Sequence, residues 1–401
     1  METEEIKKQQ DLTWLENLQK NSWEPEVIIS GIILAVLFII PSRLFDISVI
    51  LVQDYGLEQI PATLILVYFS LIISVFKLFL VIHLVMRFIW AGMLGITYAF
   101  PEGVIKEKLF KYSQSTEYSH PNAYLIKLER WCSILYGFPI SVAIPMFTIT
   151  VYLLILIGIY LVFNLEFQIV YVIFMLTIIA LGLSPLLGKP SKLKDSIGKS
   201  MSGTVGAVYQ SNLGKWAFAS FSMVLIFISI PFISQDLDGF SSFQIQANLD
   251  EEDFEYPKDQ GYFEEYNSDK KRFARIWTPI KQTNREVMEL FLPIYKREKD
   301  ATSKINSLLP KDSIPWQNVD SYENQFRILL NDSLISISKW TPVLAGHTNQ
   351  PALMTQLPIG HLTQGVHEIR VEKITYLEPL LGAGDDIRYR KKWARFNFIK
   401  D

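Results

Sequence analysis

Long apolar runs are what most restrict how this chain folds. Crossing the hydrocarbon of a bilayer takes about 20 mostly apolar residues in a helix, because a lone extended segment leaves its backbone unsatisfied there. Five segments have that character. The first runs from Val27 through Ile40 and on toward Phe45, with Pro41 and Arg43 near its far end. The second starts after Pro61 and stays apolar to about Phe100. The third lies between Cys132 and Phe163, the fourth between Ile169 and Leu187, the fifth between Trp216 and Ile233. Of 401 residues 49% are hydrophobic, and their crowding between Val27 and Ser234 leaves the rest as ordinary water-soluble sequence.

Lysine and arginine in the short connections give the direction of crossing. The stretch from Pro101 to Arg130 holds Lys106, Lys108, Lys111, Lys127 and Arg130. That from Gly188 to Lys215 holds Lys189, Lys192, Lys194, Lys199 and Lys215. The alternate connections have acids only: Asp46, Asp54 and Glu58 in one, Glu166 in the other. Five crossings then put the N-terminus inside and the C-terminal part outside. For the basic stretch to stay inside, the long second segment crosses once and continues as a protruding or bent helix. Pro139 and Pro145 interrupt the third segment, so 132–144 is expected to be interfacial or re-entrant and the span to begin at Met146.

The acidic start, Met1 to Glu5, lacks the basic region and the cleavage site of a secretory signal, so the first apolar run reads as an uncleaved span. A net charge of −3 excludes a generally basic nucleic-acid binder. The single cysteine, Cys132, permits neither an intrachain disulfide nor a cysteine metal cluster. The expected organisation is a cytoplasmic segment at 1–26, a transmembrane domain at 27–234, an acidic linker at 235–270 and an extracytoplasmic β-rich domain at 271–401. In the first segment Leu12, Leu15 and Leu18 follow Asp11 at helical spacing, as in a short surface helix leading into the first span.

The last domain carries strand patterns. Phe326 to Leu330, then Asn331-Asp332-Ser333, then Leu334 to Ser338 reads as a tight hairpin. After Gly365, Val366, Glu368 and Arg370 alternate with His367, Ile369 and Val371. From Ile387 to Ile399 the parity changes near Trp393, as at a β-bulge. The run Leu362-x-x-Gly-x-His-x-Ile-x-Val371 resembles the closing hairpin of immunoglobulin-like β-sandwich domains, which implies a fold class and no activity. The fold class is therefore a polytopic α-helical membrane protein of about five transmembrane helices with a β-sandwich-like or α+β C-terminal domain.

Charged side chains inside an apolar helix mark a polar path or a buried partner. Lys77, His83 and Arg87 form such a candidate intramembrane site, His83 and Arg87 being one turn apart on a shared face. The plainer reading has the helix leaving the membrane near Ile82, with Lys77 snorkelling to the inner surface. Lys189, Lys192, Lys194 and Lys199 are candidate contacts to lipid headgroups. Trp277, Trp316, Trp340 and Trp393 are a candidate partner surface, with core packing their commoner fate. His347, His361 and His367 have no metal-ligand spacing, and no nucleophile motif is present, so no cofactor or metal is expected.

Three functional classes follow. The favoured one is a non-enzymatic membrane component, an anchor or assembly subunit of the bacterial cytoplasmic membrane. Its outer domain is expected to bind another membrane or periplasmic protein, or the chain to form a homo-oligomer. The second is a transporter or channel using a polar path along the second helix. The third is a membrane enzyme acting on lipid-linked substrates, which needs convergent His or carboxylates at one membrane face.

Overall fold

The computed structural model describes residues 23–163, 167–183, 199, 201–243, 259–268, 270–309, 316, 318–377 and 386–401. The expected helix around Leu12, Leu15 and Leu18 lies outside the described residues, as do Glu166, Lys189, Lys192, Lys194 and the acids at 250–255.

The N-terminal half is helical: α1 Trp23–Gln53, α2 Gln59–Ala99, α3 Pro121–Phe163, α4 Phe167–Leu183, α5 Met201–Leu213 and α6 Lys215–Asp236. Four of these, α1, α2, α3 and α6, are long and apolar enough to cross a membrane. The fourth expected span appears as α4, whose described part has 17 residues, at the lower limit for a crossing. Burial ranks the helices. A third of the most apolar stretch of α2 is buried (33%), against 11% for α1, 6% for α3 and 12% for α6. Helix α2 is thus the central one, and the others turn residues such as Ile32, Val36, Phe147 and Phe227 outward. Apolar faces of this extent need a hydrocarbon surrounding.

Helix α2 runs unbroken for 41 residues, about 60 Å, so the long second segment does not fold back. Helix α3 corrects an expectation. It is continuous over 43 residues and passes through both Pro139 and Pro145, with no re-entrant piece. A proline removes one backbone bond and bends a helix, and apolar surroundings favour keeping the remaining bonds. Helix α3 also begins eleven residues before Cys132, because Pro121 suits a first helical position and His120 receives the following amides of Asn122 and Ala123.

The chain forms two compact units, and their boundary differs from the sequence division. One unit holds residues up to Pro41 and Phe69–Ile233; the other holds Ser42–Tyr68 together with Ser234–Asp401. The tips of α1 and α2 therefore belong with the strands. In the helical unit, Phe79, Phe138 and Leu225 form an aromatic-rich core with Phe221 and Tyr209.

In the second unit two sheets share one core. A five-stranded sheet has the order β1-β8-β7-β3-β4, from β1 Gln282–Thr283, β8 Asp386–Lys400, β7 Gly365–Leu377, β3 Phe326–Leu330 and β4 Ser333–Ile335. A three-stranded sheet has the order β2-β6-β5, from β2 Val287–Pro293, β6 Gln350–Pro358 and β5 Thr341–Ala345. Met288, Leu290 and Leu292 of β2 meet Ile328, Ile369, Val371, Phe396 and Phe398 of the larger sheet. The β3–β4 hairpin turns at Asn331 and Asp332 with φ of 50° and 64°, the left-handed pair a tight turn requires. On β7, His367, Ile369 and Val371 are buried while Val366, Glu368 and Arg370 are not, as the alternation foretold. The bulge is present too. Val371 pairs with Ala394 but Lys373 with Arg390, so β8 inserts extra residues around Trp393. Two short helices, α7 Lys296–Asp300 and α8 Thr302–Leu308, follow β2.

Candidate functional site

Two ionic clusters stand out, one in each unit. In the helical unit, Glu26 and Ser30 sit one turn apart on α1, as do His83 and Arg87 on α2, so two such pairs meet across antiparallel helices. Arg87 Nη2 donates to Glu26, and Arg87 Nη1 donates to Glu129 Oε2 of α3 at 2.8 Å. Ser30 Oγ lies 3.2 Å from His83 Nδ1. His83 Nε2 is 3.8 Å from Glu26 Oε2, and the ring rests 5.1 Å from that of Tyr136. His83 is fully buried and Arg87 is 3% exposed, whereas Glu129 is 42% exposed, so the cluster opens toward α3. One guanidinium bound by two carboxylates ties three helices together. Its forked donors suit that task as a lysine ammonium does not.

The structure therefore brings His83 and Arg87 together but leaves Lys77 apart. Lys77 Nζ lies 5.2 Å over the ring of Phe38, an electrostatic contact that shelters its charge. The sequence reading missed Glu26 and Glu129. Each is an acid adjoining an apolar run, which is a signal for partners of Arg87. Lys199 is described and exposed.

In the β unit, Lys373 is fully buried and pairs with Glu298 of α7. Its Nζ is ringed by Trp393 at 4.8 Å, Phe326 at 4.9 Å and Tyr295 at 5.8 Å. Burial pushes the Lys373 ammonium down to about 8, and burial pushes the Glu298 carboxyl up, although each partner pulls the other back. Arg275 donates to the Trp393 carbonyl and is also held below its ordinary value by burial. Gln325 Nε2 reaches the Glu298 carbonyl at 3.0 Å and Thr302 Oγ1 at 2.8 Å. Lys373 had a legible sign: it continues the buried parity of Ile369 and Val371, so a charge was aimed at the core.

A third network lies in the same unit and fixes the tips of α1 and α2 to the strands. Gln53 Nε2 donates to the Phe273 carbonyl at 3.0 Å, and Gln350 Nε2 donates to that carbonyl at 2.7 Å. The Phe273 amide donates to Gln350 Oε1 at 2.8 Å. Arg272 pairs with Asp54 at 2.8 Å and Arg297 with Glu58 at 3.0 Å. Gly56, at φ +74°, lets the loop approach Arg297 closely.

Three of the tryptophans expected at a partner surface, Trp277, Trp316 and Trp393, are core residues instead. Trp277 is fully buried, stacked on Phe273 at 4.7 Å and on Phe291 at 5.4 Å. Trp316 packs with Ile305, Val319 and Ile374, Trp393 lies in the main core, and Trp340 packs partly buried against it. Large rings packed in these clusters remove more apolar area from water than they would at a surface. His367 is buried between Asn331 and the Thr363 carbonyl, while His347 and His361 are exposed. Among the described residues, no three His, Cys, Asp or Glu side chains gather as a metal site requires. Comparison with protein-family models, with curated proteins and with solved structures finds no match for this chain.

Proposed function

We propose that this chain is an integral protein of a bacterial cytoplasmic membrane and works without catalysis. In this reading it is an anchor or assembly subunit whose outer β unit binds another envelope protein. The observation that carries the reading is the fastening of the strands to the tips of α1 and α2 through Gln53, Asp54 and Glu58. A recognition unit whose strands and helix tips are held together at several points is preorganised, which lowers the ordering cost of binding.

The same fastening supports the five-crossing topology. The loop at 54–58 shares a side with the strands, so the chain must cross an even number of times between them. Helices α2, α3 and α6 supply three crossings, and α4 supplies the fourth. The N-terminus then lies opposite the β unit, in agreement with the lysine distribution.

The test is mild-detergent purification of the tagged protein from its native membrane, followed by cross-linking and mass spectrometry. The expected result is a stoichiometric partner cross-linked to lysines of the β unit. A homogeneous lone protein, with intramolecular links only, would overturn the assembly reading. The transport alternative draws on one observation. The hydroxyls of Ser70 and Ser74, buried one turn apart on α2, have no hydrogen-bond partner among the described residues, and Lys77 continues that stripe.

A further inference from the structure

The helical unit also carries a groove outside the ionic cluster, between α2 and the first turns of α3. It has a volume of about 470 Å³ and is lined by Ile89, Met93, Tyr124, Lys127, Leu128 and Trp131. Its residues on α3 fall at i, i+3, i+4 and i+7, one continuous helix face, and its residues on α2 are one turn apart. Ile89, Tyr124 and Trp131 are 48%, 52% and 44% exposed, so the apolar wall faces outward.

We infer that this groove is a binding site for a phospholipid with an anionic headgroup. The inference rests on the membrane reading above. The volume falls within the ~300–1,000 Å³ of small-molecule sites. The wall is apolar except at Lys127, whose ammonium is exposed and makes no ion pair among the described residues. Arg130, on the next turn, is likewise exposed and unpaired among them, while the intervening Glu129 is committed to Arg87. The local charge is therefore positive, and its complement is an anion. Trp131 and Tyr124 supply the amphipathic rings that favour the boundary between hydrocarbon and headgroups. Basic pockets between helices on the lysine-rich side of a membrane suit anionic headgroups. The ionic cluster beside the groove holds α2 and α3 together and so keeps the groove formed.

The test places purified protein in nanodiscs of equal phosphatidylglycerol and phosphatidylcholine, then counts lipids retained on release by native mass spectrometry. Wild type is expected to retain phosphatidylglycerol over phosphatidylcholine. Lys127→Gln should lower that preference about fivefold, the loss of one basic contact near the surface. Lys127→Arg should keep it. Ile89→Trp, which fills an already exposed position, should lower phosphatidylglycerol retention with all charges intact; circular dichroism checks that each variant stays helical. Equal retention of the two lipids by wild type, or an unchanged preference in Lys127→Gln, overturns the site. A chain that does not enter the bilayer at all would instead overturn the membrane reading itself.

Discussion

Replacing Lys373 with methionine is expected to unfold the β unit far more readily than replacing the whole Lys373–Glu298 pair. Lys373 is fully buried, so Lys373→Met leaves the Glu298 carboxylate in the core without its cation. Breaking a buried pair in this way costs about 3–5 kcal/mol. In the double variant Lys373→Met with Glu298→Leu, neither charge of the pair remains to be desolvated, and the Trp393, Phe326 and Tyr295 rings pack against a thioether. That variant should be as stable as wild type or more stable, by up to about 4 kcal/mol. The sign with pH follows from the same burial. Lys373 holds its proton less tightly folded (about 8) than unfolded (~10.4), so between those values the unfolded state binds more protons and stability rises with pH. The slope from this group is at most about 1.4 kcal/mol per pH unit. Glu298, raised by burial, acts oppositely: its contribution is full below its unfolded value and is lost as pH rises through the folded one. The assay is denaturant unfolding of the full chain in detergent, followed by tryptophan fluorescence at pH 7, 8, 9 and 10. A Lys373→Met variant within about 1 kcal/mol of wild type would refute the reasoning. So would a double variant as unstable as the single one, or the same pH 8–10 slope in wild type and Lys373→Met.

Other substitutions probe the remaining contacts. Gln350→Ala strands the amide of Phe273, at about 1–3 kcal/mol, while the carbonyl keeps its bond from Gln53; hydrogen exchange at 42–68 should quicken, and unchanged exchange would deny the fastening. Gly56→Ala puts a Cβ 3.3 Å from the Arg297 amide at a left-handed φ, so the thermal midpoint should fall with a loss of about 1–2 kcal/mol. Arg87→Gln leaves Glu26 and Glu129 without their shared cation; partial exposure of Glu129 limits the loss to about 2–3 kcal/mol, read as earlier thermal unfolding in detergent. In a Cys132→Ser background, a cysteine replacing Glu117 should label only after the membrane is permeabilised, and one replacing Glu323 should label in intact cells; the reverse pattern inverts the topology.

The apolar runs by themselves determined that the first half is helical, because length and hydropathy act locally and a helix closes its own hydrogen bonds. Alternation likewise determined the β3–β4 hairpin, the inward face of β7 and the bulge near Trp393, since strand side chains point by parity alone. Local sequence could not decide the fate of Pro139 and Pro145: whether a proline ends a helix or bends it depends on what surrounds it. Nor could it pair Arg87 with Glu26 and Glu129, or Lys373 with Glu298. Those partners are 61, 42 and 75 residues apart in sequence. The four tryptophans were a candidate surface with core packing the commoner fate, and packing of distant segments buried three of them: Trp393 between the two sheets, Trp277 against Phe273 and Phe291, and Trp316 against Ile305 and Ile374. Only the tertiary structure assigned the tips of α1 and α2 to the β unit, because that choice was made by Gln53, Gln350 and the Phe273 backbone meeting across hundreds of residues.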